Sequence, residues 1–554
     1  MAAKNKSGCG FQPQDHRLEA GATRNSTMPR RDFIATSAAA AVTGALLSPP
    51  AAAAQPAMIA SPAAATTGAG SGGPRQNLVI FFPDQLRAEN LGCYGHPTIK
   101  TPNIDRFAAE ATRFRHCVCH PLCAVSRTSM FTGWPAHVRG HRSFQHLLAP
   151  DEPNLFRYLK ESGYDVFWFG KNDVLSFERF GESVTEWAFF APGAEWDAKD
   201  NPWKFGDPLY YSFLFQPGKG DRRSFPDYTR VQAGIRVLQR QSDRPFCLFL
   251  PLWYPHPPFT GPADFFNLYG PDDVPPLRPP TAGKPPFYEA IRRSRGLERL
   301  NDRDFRRINA AYLGLTSYTD WLFGEFLAAL DASGRANDTT VIFSSDHGDW
   351  AGDYGLVEKW SSAMDDCLTS VPLIIRTPGG AKGHVVDGVT QLYDVMATCL
   401  ELAGVKAQHT HFARSLVPQL RGAAGDPRRA GFVEGGYNPY EPECFENLPL
   451  KPEHIYYPKI RLQNDQPETI TRTTMMRTTD FKLVLRPDGV SEFYDLKKDP
   501  RELQNVYGQQ TYAAQQARME RAMLDWYVRT SDVTPRGLKD DRDLPKDNLR
   551  TIRI

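Results

Sequence analysis

Four runs of consecutive apolar residues punctuate the chain, and each stops at a polar group. Asn77-Leu78-Val79-Ile80-Phe81-Phe82 halts at Pro83-Asp84-Gln85, and Tyr164 to Phe169 leads to Gly170-Lys171. Pro245 to Tyr254 leads to Pro255-His256-Pro257, and Thr340 to Phe343 leads to Ser345-Asp346-His347-Gly348. A strand with one wet face alternates apolar and polar residues, whereas an unbroken apolar run belongs to a strand buried on both faces, as in a parallel sheet covered by helices. Turn chemistry alone favours Asp and Gly at a strand end. Four polar exits together predict a shared site, because open α/β sheets bind ligands at the carboxyl ends of their strands.

Between the runs the period changes to that of a helix. From Asn301 or Asp302, apolar residues recur at three- and four-residue steps through Phe305, Ile308, Tyr312, Leu315, Leu322, Phe326 and Leu330, ending near Gly334. This aromatic stripe reads as core. Trp187 to Gly220, with Trp196, Trp203, Phe205, Tyr210 and Tyr211, and the proline-rich Gly261 to Pro286 read as long loops on the exit side of the sheet, where such loops shape pockets. After Leu420-Arg421-Gly422 the chain turns more polar. Short strands are predicted at 474–478, 481–485 and 492–496, with a helix from about Tyr512 to Val528. The predicted organisation is a leader over 1–54, a flexible linker over 55–75, a main unit over 76–422 and a smaller unit over 423–554.

Composition narrows the function. At 554 residues the chain has ample core, and a net charge of +2 gives no general attraction to nucleic acid or anionic membrane. Nine cysteines without a C-x-x-C pair suggest neither a zinc ribbon nor a disulfide framework, and Cys117 and Cys119 read as core. Pro29-Arg30-Arg31-Asp32-Phe33-Ile34 precedes an alanine-rich run to Leu47 and Ala51-Ala52-Ala53-Ala54. That run is too short for a stable membrane span, and the paired arginines resemble a twin-arginine export signal. The expected location is therefore the periplasm or the medium of a bacterium, with the twin-arginine export machinery as a partner.

The candidate chemistry starts at Pro121-Leu122-Cys123-Ala124-Val125-Ser126-Arg127-Thr128-Ser129-Met130-Phe131-Thr132-Gly133. If Ser126 and Thr128 open a helix, Cys123 faces free backbone N–H groups, a setting expected to lower its pKa and attract anions. Taken with Asp84-Gln85, Gly170-Lys171, His256 in Pro-His-Pro, Ser345-Asp346-His347-Gly348, Lys359 and the C-terminal Phe493-Tyr494-Asp495-Leu496-Lys497-Lys498-Asp499-Pro500-Arg501-Glu502-Leu503-Gln504-Asn505, the chain resembles the type I sulfatases of the alkaline-phosphatase superfamily.

The resemblance implies an α/β fold with a mixed, mostly parallel sheet flanked by helices and a smaller C-terminal α+β domain built on an antiparallel sheet. It implies that a formylglycine-generating enzyme converts Cys123 to formylglycine (3-oxoalanine), whose hydrate supplies an oxygen nucleophile. Arg127 would then orient the diol, Lys171 and Lys359 would hold sulfate oxygens, and His256 would bind sulfate or protonate the leaving oxygen. Asp84, Gln85, Asp346 and His347, beside the residue at 123, are the implied ligands of a divalent metal; for a site built mainly from oxygen the resemblance implies Ca²⁺, with Mn²⁺ or Mg²⁺ left open by the histidine. Three positions depart from the family pattern: Val125 stands where proline or alanine is usual, Gln85 where a second aspartate is commoner, and Asn172-Asp173 where many members have a histidine. Asp173 could act as a base there, weaker than histidine at neutral pH. The leading expectation is hydrolysis of a sulfate ester of a carbohydrate or small organic alcohol. The alternatives are a phosphonate or phosphate ester hydrolase, or an inactive sulfate-binding protein if Val125 blocks maturation.

Overall fold

Asn77–Asp84 (β1), Thr112–Val118 (β2), Asp165–Phe169 (β3), Glu186–Ala188 (β4), Phe246–Pro255 (β5), Thr339–Ser344 (β6), Ser370–Arg376 (β7) and His384–Gln391 (β8) form one eight-stranded sheet in a computed structural model that describes residues 75–189 and 200–533. The order is β4-β3-β5-β1-β6-β7-β2-β8. The four apolar runs are β3, β5, β1 and β6, four neighbours running parallel, with Val79 opposite both Leu248 and Val341. Their carboxyl ends therefore share an edge, as the pattern of exits predicts. Only β7 runs against the rest, so the sheet is mixed and mostly parallel.

Double burial explains the unbroken apolar runs. Along β1, Leu78, Ile80 and Phe82 point into a core with Phe131, Phe156, Trp168 and Met396, while Val79 and Phe81 point into one with Leu248, Phe323, Phe326 and Phe343. Each side chain so buried contributes roughly 1.5–3 kcal/mol. The second face is covered by the helix Asp302–Ala332, which holds all seven residues of the predicted stripe in its buried surface. Its start is fixed by Asn301, whose side chain accepts from Asp304 N at 3.1 Å while Asp304 accepts from Asn301 N at 3.2 Å.

Gly431–Gly435 (β9), Thr473–Arg477 (β10), Phe481–Leu485 (β11) and Glu492–Asp495 (β12) form a second, wholly antiparallel sheet in the order β12-β11-β10-β9. The helix Ala513–Thr530 lays Met519 and Met523 on Met476, Leu483 and Phe493. The two sheets join through Val118 and Val389 of the first and Val433, Met475 and Val484 of the second. The loop at 200–216 is tied to the C-terminal segment, since Tyr210 and Tyr211 donate to the carbonyls of Glu453 and Pro452 at 2.6 and 2.5 Å. The predicted leader, Trp196 and the linker up to residue 74 lie outside the described residues. Among the described residues, no helix is long and apolar enough to cross a membrane.

Gly170, the hinge between β3 and Lys171, has φ +141°, and a Cβ built there would sit 2.0 Å from the carbonyl oxygen of Pro251. Gly170→Ala is expected to lower stability by about 1–3 kcal/mol, read from the urea midpoint, with a matching loss of any activity that needs Lys171. An unchanged midpoint would contradict this placement.

Candidate active site

The exits of β1 and β6 and the first turn of the helix Cys123–Thr132 meet at one buried point. Asp84 ends β1, Ser345-Asp346-His347 follows β6, and Cys123 is the first helical residue after Leu122. Asp84, Arg127, Asp346 and His347 are fully buried and Cys123 is 1 % exposed. One face of the helix docks on the segment that follows β6, where Ser126 Oγ donates to Asp346 O at 2.6 Å. One turn beyond Cys123, Arg127 reaches both strand-end carboxylates: Nη2 lies 2.7 Å from Asp84 Oδ2 and Nε donates to Asp346 Oδ2 at 2.8 Å. Its Nη1 is buried without a hydrogen-bond partner.

The remaining residues expected from the sequence arrive at the same place. His347 Nε2 is 3.0 Å from Cys123 Sγ and 3.8 Å from carboxylate oxygens of both Asp84 and Asp346. Its Nδ1 pairs with Gly348 O at 2.8 Å, which fixes the tautomer with the Nε2 lone pair facing the carboxylates. Lys171 Nζ is 2.8 Å from Asp84 Oδ2, 3.6 Å from Cys123 Sγ and 3.0 Å from Asp173 Oδ2. Lys359 Nζ donates to Gln85 Oε1 at 2.7 Å and lies 3.2 Å from His256 Nε2. Asp173 thus sits on Lys171, and Gln85 has its carbonyl oxygen on Lys359. The lysine and aspartate at 171 and 173 keep 18 % and 20 % of their side chains exposed, so the buried centre opens on their side.

Charge pairing sets the protonation states. Burial opposes ionisation of Asp84, yet Lys171, His256 and Arg127 outweigh it and hold the carboxyl well below its usual range. Burial, and then the Asp84 charge, push the Cys123 thiol above its ordinary value, with Lys171 and Lys359 pulling the other way. This corrects the expectation of an acidic thiol: the helix N-terminus is present, but desolvation and a neighbouring carboxylate dominate it. Burial and the Lys359 ammonium push His256 well down. With Nδ1 on Pro257 O at 2.6 Å, the neutral ring offers Nε2 as an acceptor and becomes a donor there only on gaining a proton.

Several contributors were not read from the sequence. Asp349, just past the Ser-Asp-His-Gly motif, accepts from the Gln85 amide and from the backbone N–H groups of Ala351 and Glu358 at 2.6 and 3.0 Å; burial raises it to about 6. Glu358 lies 3.1 Å from Lys359 and 3.4 Å from Lys459, the latter on the helix Tyr457–Asp465. The signal for Asp349 was its closeness to the motif. For Lys459, a hundred residues downstream in sequence, there was none.

Asp84, Cys123, Asp346 and His347 offer ligand atoms all within 4.8 Å of one another. That spread suits one cation, since ligands on opposite sides of a Ca²⁺ ion stand roughly 4.6–5.2 Å apart. Two carboxylates and one imidazole, backed by further hydrogen bonds, fit a divalent metal.

A family model described as Sulfatase matches residues 76–405, and one described as N-sulphoglucosamine sulphohydrolase, C-terminal, matches residues 451–528. The multifunctional alkaline phosphatase superfamily protein PehA of Trinickia caryophylli is 27% identical, covering 83% of this chain and 96% of its own. Human iduronate 2-sulfatase is 30% identical over 63% of this chain and 69% of its own. Among solved structures, the phosphonate monoester hydrolase of Silicibacter pomeroyi superposes with a TM-score of 0.68 at 24% identity, covering 82% of this chain and 96% of that one, and so shares the fold. The chain belongs to the sulfatase family of the alkaline-phosphatase superfamily, hydrolases that act on sulfate esters.

Replacing Arg127 by Met leaves two buried carboxylates without their shared cation, and stability in chelator-treated buffer should fall by about 3–5 kcal/mol at neutral pH. The sign of the pH dependence follows from Asp84. Its folded pKa is depressed, so its contribution is present above the unfolded value of about 4 and is lost as pH falls through the folded one. The deficit between variant and native protein should thus be widest above about pH 5 and narrow below pH 4. A deficit that stays constant across this range would contradict the pairing.

Proposed function

We propose that this chain hydrolyses a sulfate ester of a carbohydrate or small organic alcohol, with residue 123 as nucleophile after conversion of Cys123 to formylglycine. The observation that carries this reading is the convergence of Cys123, Asp84, Asp346 and His347 within 4.8 Å under three cationic side chains. In the active form, the position of Cys123 Sγ stands for the oxygen of the hydrated aldehyde. Formylglycine, when present, supplies a hydroxyl nucleophile, and a divalent metal held by Asp84, Asp346 and His347 would favour its ionised form. The oxygen-rich donor set supports Ca²⁺, and the single imidazole is compatible with Mn²⁺ or Mg²⁺. Gln85 would join the ligands only by releasing Lys359.

The chain's own groups suit the rest of the task. Arg127, anchored on both carboxylates, has Nη1 left to bond an oxygen at residue 123. Lys171, 3.6 Å from the sulfur atom, and Lys359, whose charge acts on the same thiol, would hold sulfate oxygens as charge builds on them; each such fixed donor is worth roughly 2.7–4 kcal/mol. His256 stands beside Lys359, where the negative charge of a bound sulfate raises its proton affinity, so that it can donate from Nε2 to a sulfate or leaving oxygen. Asp173 restrains Lys171 and is partly open to solvent.

A second reading, cleavage of a phosphonate or phosphate ester, is favoured by the fold shared with the phosphonate monoester hydrolase and by a cradle that suits any tetrahedral oxyanion. Parallel turnover of an aryl sulfate and an aryl phosphonate monoester separates the two. We expect the higher kcat/KM for the sulfate, loss of both activities in Cys123→Ala, and loss on chelation with recovery on adding Ca²⁺. Faster turnover of the phosphonate, or activity retained without Cys123, would overturn the reading.

We further propose export through the twin-arginine route, on the strength of Arg30-Arg31 ahead of the alanine-rich run. Arg30-Arg31→Lys-Lys should hold the protein inside the cell, as seen by fractionation and immunoblotting. Unchanged export of that variant would reject the route.

A further inference from the structure

A cavity of about 50 Å³ lies between the helices Cys123–Thr132 and Ala136–Arg139, the strands β9 and β10, and the C-terminal helix. Val125, His137, Arg142, Glu434, Arg472 and Tyr527 line it. It is distinct from the site above: Val125 is two residues past Cys123 on one helix, and residues two apart point to opposite faces. The valine that departs from the family pattern therefore faces this cavity and packs with Leu122 and Ala136.

The cavity carries more donors than its own acceptors use. Arg142 makes no hydrogen bond with any described residue and interacts with Glu434 and Glu441 through charge alone, although a guanidinium presents five N–H donors. Arg472 spends Nη2 on Glu441 at 2.9 Å, and its Nε is buried without a partner. The nearest acidic wall group is already engaged, because Glu434 accepts from the backbone N–H of His137 at 3.1 Å and pairs with its Nδ1 at 2.9 Å. Burial and the neighbouring Arg472 disfavour the charge on Arg142, while the carboxylates of Glu434 and Glu441 favour it. Two guanidiniums on one cavity, Arg142 without a hydrogen bond and Arg472 with a buried, unpartnered Nε, can receive a compact anion, with forked N–H pairs matched to tetrahedral or carboxylate oxygens.

We propose that this cavity is a second oxyanion site, taking sulfate or phosphate between Arg142 and Arg472. The occupant is either the free ion or an anionic substituent remote from the scissile bond. Neither source depends on the reaction proposed above.

Calorimetric titration of the full chain with sodium sulfate, and separately with sodium phosphate, in low-salt buffer tests it. The native protein should show two binding events per chain, and Arg142→Gln should show one. Because Arg142 has no hydrogen bond to lose, the variant should fold, and added sulfate should raise the melting temperature of the native protein more than that of the variant. Native protein showing no event that Arg142→Gln loses, or a variant that does not fold, would each overturn the proposal. Kinetics then identify the occupant. A KM raised about tenfold for a disulfated sugar, with aryl sulfate turnover unchanged, supports a remote substituent, and an unchanged KM beside the lost calorimetric event supports the free ion; both outcomes uphold the site. A protein inactive on sulfate esters that still shows the two events would sink the sulfatase reading alone.

Discussion

The guanidinium of Arg127, clamped between the carboxylates of Asp84 and Asp346, is the contact on which the rest of the site depends. All three are fully buried, and an isolated charge at such depth is untenable. Two parallel neighbours, β1 and β6, end in acids at the same edge, and like charges that close need a cation between them. Arg127 supplies it from one turn into the helix that Cys123 begins. The same contact therefore fixes the helix against the sheet, sets where residue 123 points and helps hold Asp84 ionised.

Charge alternates outward from that clamp. Lys171 bridges Asp84 and Asp173, while Lys359 leads to Glu358 and then to Lys459. The last link belongs to the C-terminal segment, so the smaller sheet and its helices complete the charge balance of the centre as well as burying its flank. Backbone strain sits where these links are tightest. Gln85 and Glu358 are non-glycine residues with φ of +67° and +69°, each adjoining a residue of the centre. Hydrogen bonds hold the first in place: Gln85 N donates to Asp346 Oδ1 at 3.0 Å, and Tyr312 Oη donates to Gln85 O at 2.6 Å.

How much of this could be read from residues alone depended on burial. The four central strands were legible because both their faces are covered, which forces apolar residues without interruption, and the 31-residue helix because one wide stripe of it is buried. The outer strands break the rules used to find strands. β7 carries Pro372, β8 carries Asp387-Gly388 in its middle, and β2 carries Arg113 and Arg115 on partly open positions, the latter paired with Asp387 at 2.6 Å. β4 is three residues long. In the centre, residues at strand exits or in the helix motif were found. Their protonation states were not, because a thiol at a helix start reads as acidic until the depth of its burial and the carboxylate beside it are known. Asp349, Glu358 and Lys459 act through contacts made only on folding.

The central claim is that the side chain at 123 attacks as an oxygen nucleophile derived from the thiol. Its most direct measurement is the fraction of chains bearing an aldehyde, counted with an aminooxy probe and localised to the peptide containing residue 123, set against aryl sulfate turnover across preparations matured to different extents. The account predicts a straight line through the origin. Turnover that persists in preparations with no detectable aldehyde would contradict it.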